Sequence, residues 1–225
     1  KRVAVTLADR FAVVNADILT DVDLGTLVDA VPAGGAAMAL RRSPEAARYG
    51  VVAADTTGHV CQLASVATAE PSGAVDPTTH FTGIHAMDVA TLERVPDGFA
   101  CIVRTAYAEL VPARRVTARV HDGLWLDVGD PAAYLDANLA VLDGGLPLPL
   151  DPFERAARVE PGNLWIGHGA SIGEGASLSR VIVGDGATVP PGAALHEVVV
   201  WDGATVPPGR LERAIVDDGG VLPIR

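Results

Sequence analysis

The sequence predicts an α/β domain followed by a β-helix. Strands and helices interleave over residues 1–143, Pro and Gly punctuate a connection at 144–162, and a 17-residue repeat runs through 163–225. Phe11–Asn15 is a short apolar run of the kind that forms a strand buried on both faces. Asp23 is placed to cap a helix with Leu24, Leu27, Val28 and Val31 at helical spacing. Ala36–Leu40 reads as the next strand. Gly50–Ala53 and Val60–Val66, separated by a turn at Asp55–Gly58, read as a hairpin. A strand at Phe81–Ala86 precedes a helix from Asp88 to Arg94, and Cys101–Val111 is helical by pattern. Val116–Val120 and Leu124–Val128 are strands. Asp130-Pro131, an acidic cap before Pro at the first helical position, opens a helix that runs to Leu142.

Beyond residue 162 the rhythm changes. Ser171-Ile172-Gly173, Thr188-Val189-Pro190 and Thr205-Val206-Pro207 recur at intervals of 17, as do Val181-Ile182-Val183 and Val198-Val199-Val200. Ala214-Ile215-Val216 follows 16 residues later. Each repeat splits into sides of about six residues, an aliphatic residue followed by small ones, which is the hexapeptide pattern. A single coil cannot bury its own aliphatic residues, so three to four coils must stack over one another.

Bulk properties exclude several classes. Hydrophobic residues make up 49% of the 225, enough for a sizeable core, but aromatics make up only 4%. The net charge of −11 and the absence of any basic cluster beyond Arg41-Arg42 and Arg114-Arg115 argue against nucleic acid as a partner. No apolar run reaches the length of a membrane helix, so no membrane partner is expected, and the cytoplasm is the expected location. Cys61 and Cys101 have no disulfide or metal-ligand spacing and are expected to be reduced core residues. The six histidines likewise lack ligand spacing; His168 and His196 are 28 apart, which does not match a 17-residue coil. Trp165 and Trp201 are expected to be packing or interface residues.

Two acidic positions stand out. Val13-Val14-Asn15-Ala16-Asp17 places a carboxylate just after a strand, at the sheet edge where α/β folds bind ligands. Asp127 ends a second strand, ahead of Val128-Gly129-Asp130-Pro131. Two such carboxylates suit Mg²⁺, a hard cation that takes oxygen ligands and shares them with phosphate. An Asp in either position also serves as an ordinary turn or cap residue.

Together these segments resemble the sugar-1-phosphate nucleotidyltransferases, the mannose-1-phosphate guanylyltransferase-like members included. Asn15-Ala16-Asp17 is similar to that family's metal-binding Asn-Gly/Ala-Asp motif, and Trp125-Leu126-Asp127-Val128-Gly129-Asp130-Pro131 to the motif that supplies its second carboxylate. Tyr134–Asn138 resembles the helix that follows. Tyr49-Gly50-Val51-Val52 looks like a strand near the sugar pocket, and Phe81-Thr82-Gly83-Ile84-His85 like the segment whose backbone approaches the sugar. The resemblance implies a Rossmann-like nucleotidyltransferase sheet at 1–143 and a short left-handed β-helix at 163–225. It implies Asp17 and Asp127 as catalytic Mg²⁺ ligands, and Asn15, Tyr49, Gly50, Thr82 and Gly83 as substrate-binding residues. The substrates would be an NTP and a sugar 1-phosphate, yielding a GDP-mannose or NDP-glucose type of product, and the β-helix would assemble a homo-oligomer.

This sequence departs from the pattern in two places. The family's Gly-rich loop with its Arg and the following Pro-Lys are not in it, so an upstream segment is expected to supply them; the chain begins with Lys rather than Met. The Glu-Lys-Pro motif is absent, the equivalent region reading Val66-Ala67-Thr68-Ala69-Glu70-Pro71, and Lys1 is the single lysine. Arg104 and Arg114 read first as solvated surface residues, with phosphate binding as the alternative for each. The alternative reading is a non-catalytic regulatory or assembly subunit that binds an NDP-sugar, or a catalytic partner through its β-helix. A β-helix acyltransferase ranks last, because no histidine is suitably placed.

Overall fold

The computed structural model describes residues 6–146 and 151–225, with Pro152 described by its backbone alone. Residues 147–150 of the expected connection, and residues 1–5, lie outside the described residues. The chain divides into two compact units, Lys1–Trp125 and Leu126–Arg225.

In the first unit the elements follow in the order β1 (Arg10–Val14), β2 (Ile18–Thr20), α1 (Leu24–Asp29), β3 (Ala36–Arg42), α2 (Ala46–Tyr49), β4 (Val52–Ala54), β5 (Val60–Leu63), β6 (Ala67–Thr68), β7 (Thr79–Asp88), a 3₁₀ helix (Val89–Arg94), α3 (Ala106–Leu110) and β8 (Val116–Val120). Strand β9 (Trp125–Asp127) straddles the boundary between the units. The main sheet has the order β1-β7-β3-β8, with β7 antiparallel to both neighbours and β3 parallel to β8. Strands β3 and β8 therefore end where β7 begins, while β1, running the same way, ends beside Ile84 in the middle of β7.

The sheet is covered on both faces because β3 alternates in two apolar sets. Ala36, Met38 and Leu40 pack with Tyr107, Leu110, Val111, Val52 and Val60 on one side. Ala37 and Ala39 join Leu27, Val31, Ile84 and Ala86 on the other. Cap chemistry sets the flanking elements. Asp23 accepts from the Thr26 amide at 3.0 Å to start α1, and Asp88 accepts from Ala90 N at 2.9 Å to start the 3₁₀ helix. Buried polar groups are matched internally. Thr82 donates to Ala39 O at 2.8 Å, and His85 pairs with the Tyr107 hydroxyl. Burial pushes His85 down to about 4 and Tyr107 upward, so both are neutral at pH 7.

Four expectations need correction. Strand β1 is not buried on both faces: it is an edge strand of the described sheet, half-buried at Phe11–Val13 and exposed at Val14. The helix expected at Cys101–Val111 starts only at Ala106, because residues 102–105 form turns and Thr105 Oγ1 donates to Cys101 O at 2.9 Å. The segment from Asp88 to Arg94 winds as 3₁₀ rather than α. Cys61 is a core residue as expected, but Cys101 is exposed.

The second unit opens with α4 (Pro131–Leu142), capped by Asp130 accepting from Ala133 N at 2.9 Å, with Pro131 at its first turn. After a 3₁₀ turn (Pro152–Arg155) come β10 (Arg158–Glu160), β11 (Leu164–Ile166), β12 (Ser171–Ile172), β13 (Ser177–Val183), β14 (Thr188–Val189), β15 (Ala194–Val200), β16 (Arg210–Asp217) and β17 (Gly220–Pro223). They build a β-solenoid of about three turns, consistent with a left-handed β-helix. Parallel pairs Leu164↔Val181, Val181↔Val198 and Val198↔Ala214 reproduce the sequence repeat of 17, 17 and 16. Within each aliphatic triplet the outer two residues fill the coil interior, as with Val181 and Val183. The middle residues Ile182, Val199 and Ile215 point outward and are covered by Leu135, Leu139 and Leu142 of α4. Antiparallel strands β10 and β17 end the six-stranded sheet at its two sides.

Two ladders lock the coils. Gly167 and Gly184 lie under Asp185 and Asp202 of the following coil, whose carboxylates accept from His168 N at 2.7 Å and Asp185 N at 2.8 Å. A Cβ at Gly184 would fall 2.3 Å from Asp202 Oδ1 and 2.6 Å from Asp202 N. At a second corner Arg180, Glu197 and Arg213 hold positive φ of 57°, 53° and 45°. Glu197 bridges the two guanidiniums at 3.1 and 3.0 Å, while Arg180 and Arg213 reach Asp143 and Asp136 at 2.6 and 2.9 Å. The ion pairs hold a backbone form that costs about 1 kcal/mol per non-glycine residue, and they tie α4 to the coils.

Gly184→Ala is expected to destabilise the second unit by about 1–3 kcal/mol through backbone overlap, measurable as a lower denaturation midpoint at unchanged m-value. In the first unit Asp55 is buried. It accepts from Thr57 at 2.6 Å, Ser72 N at 2.8 Å and Arg114 at 2.9 Å. Burial works to raise its pKa, but these bonds outweigh it and hold the carboxyl well below its usual 3.8. The stability it contributes is therefore present above about pH 4 and is lost as pH falls through the lower folded-state value. Asp55→Asn should lower stability at pH 7 and flatten the acid limb of a pH–stability curve. Arg114→Ala should cost about 1–3 kcal/mol by leaving that acceptor short of a partner.

Candidate active site

Where β1, β3 and β8 end, the chain gathers an aromatic and polar cluster. The Asn15 amide donates to Gly83 O at 3.2 Å, and the turn Asn15–Ile18 closes with Ile18 N on Asn15 O at 3.2 Å. Gly83 has φ +80°, and a Cβ there would meet Asn15 Nδ2 at 2.7 Å, so glycine makes room for the Asn15 side chain. Asp17, in the same turn, is exposed and has no partner among the described residues.

Thr82 is fully buried. Its hydroxyl is engaged by Ala39 O, and its carbonyl accepts from Trp125 Nε1 at 2.8 Å. Thr82 thus enters the site by fixing the indole rather than by presenting its own side chain. Around Trp125, the His80 ring lies edge-on at 5.2 Å and Tyr49 at 6.1 Å, while Tyr49 stacks on His80 at 4.6 Å. Tyr49 is 47% exposed, so this group presents an open aromatic surface. Gly50, at φ +89°, ends α2 and turns the chain into β4 where a Cβ would press on Ala64 at 3.2 Å. Beside this group His121 Nε2 meets Asp21 at 2.8 Å, and the Asp21 amide donates to Leu124 O at 3.3 Å.

Residues 2–144, more than half the chain, match the sequence pattern of a family described as nucleotidyl transferase. The chain belongs to that family. It is also 28% identical over 185 residues, 79% of its length, to a Sulfolobus acidocaldarius protein named "Putative mannose-1-phosphate guanyltransferase". The chain spans about half the length of that relative, 49% of it.

Within the first unit, β7 brings Asn15, Thr82 and Gly83 together, and Trp125 links them to Tyr49. Asp127 lies in the second unit, exposed, with Oδ1 accepting from Gly129 N at 3.1 Å. Among the described residues no three carboxylates, histidines or cysteines gather into a metal cage. The chemistry still fits Mg²⁺, which is commonly held by one or two carboxylates and completed by water and substrate phosphates. Asp17 offers a free carboxylate of this kind, and Asp127 retains an unengaged oxygen.

Sequence reasoning missed His80, Arg41 and the Asp21–His121 pair. His80 follows Thr79 at the start of β7, and its only sequence signal was nearness to Thr82-Gly83. Arg114, a candidate phosphate ligand, is instead committed to Asp55 and to Glu70 O at 2.8 Å.

Gly83→Ala should displace the Asn15 side chain and strain a positive-φ residue, costing about 1–3 kcal/mol. The loss in thermal stability should be accompanied by a change in the chemical shifts of the Asn15 side-chain amide, which reports the displacement directly.

Proposed function

We propose that this chain forms the sugar-side and metal-side portion of an enzyme that transfers a nucleotidyl group from an NTP to a sugar 1-phosphate. A sugar-phosphate oxygen attacks the α-phosphorus of the NTP, a new P–O bond forms, and the bond to the β-phosphate breaks to release pyrophosphate. The observation that carries this reading is the free carboxylate of Asp17 at the end of β1, next to the Asn15–Gly83 contact. Mg²⁺, when bound, would neutralise charge building on the phosphates. Asp17 and Asp127 would hold it. Asn15, Tyr49 and the backbone around Gly50 and Gly83 would orient the sugar, with Thr82 setting the indole behind them. Positioning of this kind is the principal source of rate in phosphoryl and nucleotidyl transfer.

The substrate class within the proposal is mannose 1-phosphate with GTP, or glucose 1-phosphate with another NTP; the name of the Sulfolobus acidocaldarius relative supports the first. Assembly into a homo-oligomer through the solenoid is part of the same proposal. It is supported by β10 and β17, the outer strands of the six-stranded sheet, whose edges suit pairing with a second copy. The cytoplasm is the proposed location. Two free cysteines agree with it, and no helix among the described residues is long and apolar enough to cross a membrane.

The test is a screen of NTP and sugar 1-phosphate pairs with the full-length protein, scoring Mg²⁺-dependent pyrophosphate release. Asp17→Asn and Asp127→Asn should each lower kcat by about a hundredfold or more. Both sites are exposed, so melting temperature should barely move. Normal turnover in both variants would remove the metal assignment.

A further inference from the structure

We infer that Arg41 binds the phosphate of the sugar 1-phosphate, an assignment that rests on the nucleotidyl-transfer reading above. The alternation of β3 separates two adjacent arginines. Arg42 faces the side of Leu40, lining a 350 Å³ pocket with Asp55 and Thr79. Its charge is taken up by Asp76 at 3.0 Å and Asp122 at 3.1 Å. Arg41 faces the opposite side, with its guanidinium carbon 5.9 Å from the centre of the Trp125 ring. It is half-buried and has no carboxylate partner among the described residues. The nearby carboxylates are otherwise engaged, Asp122 by Arg42 and Asp21 by His121 at 2.8 Å.

One Arg41 N–H donates to Gly123 O at 2.8 Å, which fixes the plane of the fork. The remaining N–H groups have no partner among the described residues and lie at the end of β3, by Trp125 and across from His80, the two rings that Tyr49 also meets. A guanidinium oriented by a carbonyl and an aromatic face, and spared its own counter-ion, suits a phosphate dianion through paired N–H bonds. Net charge is −11, the single lysine is Lys1, and Arg114 is committed to Asp55. Arg48, the other arginine near Tyr49, is a largely solvated residue paired with Glu45 at 3.6 Å. A sugar ring against Tyr49 would place its anomeric phosphate toward Arg41.

The experiment is calorimetric titration of the full chain with mannose 1-phosphate and with glucose 1-phosphate, at two ionic strengths. Wild type should bind at least one of them, more weakly at high salt, as expected for a charge pair. Arg41→Gln should raise Kd about tenfold to a hundredfold and flatten the salt dependence. Arg41→Met, which keeps the packing on Trp125, should do the same and decides the matter where the Gln variant folds poorly. Arg41→Lys should retain the salt dependence with a smaller loss, since it keeps the charge but not the planar fork. A purely structural arginine would leave the salt dependence unchanged. Wild-type affinity and salt response in the Gln or Met variant would overturn the role of Arg41 while leaving the sugar site standing. Binding of neither sugar phosphate by wild type would overturn both.

Discussion

The candidate site of the first unit depends on β7 running antiparallel between β1 and β3. Because its neighbours point the other way, the first residues of β7 meet the last ones of β3, and its middle residues meet the end of β1. His80 thereby lies across from Arg41, with His121 bonded to Leu40 on the other side of β3. Gly83 receives the Asn15 side chain, and the Thr82 carbonyl fixes the Trp125 indole. Reversing or shifting β7 by one residue would turn Thr82 from the sheet interior outward and remove the anchor of Trp125. The fully buried ladder around Ile84, Ala86, Ala37 and Ala39 opposes such a shift. The small side chains of β3 have a role here as well, since alanines let both covering layers approach the sheet closely while each still contributes apolar burial.

How much of this could be read beforehand follows from how local each cause is. The solenoid was legible because its repeat is its pairing register, so that residues 17 apart in sequence lie one above another. Helix α4 was legible through Asp130-Pro131, a cap and first turn that act within four residues. The turn at Asn15–Asp17 and the two-residue spacing from Trp125 to Asp127 were also local. What escaped notice was set by distant partners. His80 and Arg41 carry no neighbouring signal and become part of the site only once β3 and β7 pair. The exposed edge at Val14 depends on which strands flank β1, which an apolar run cannot state. Arg114 looked like a surface cation until folding brought it to Asp55, 59 residues away in sequence.

Charge in this chain is arranged by arginine rather than by lysine, and the physical consequences differ between the units. In the solenoid, Arg180 and Arg213 each serve two carboxylates, using the several fixed donors of the guanidinium to span a coil step and an overlying helix together. A lysine has one charge centre on a flexible stem and would meet only one of those demands in a defined geometry. In the first unit, Arg114 uses the same property to serve the buried Asp55 and the Glu70 carbonyl. Each of these arginines is neutralised by the fold it stabilises. Arg41 has the same planar donor set, but its orienting partners are a carbonyl and an aromatic ring, which direct the group without cancelling its charge. A cation held in this way keeps its field for an anion arriving from outside. That separates an arginine able to recognise phosphate from those that hold the fold together, and it is set by the partners the fold supplies.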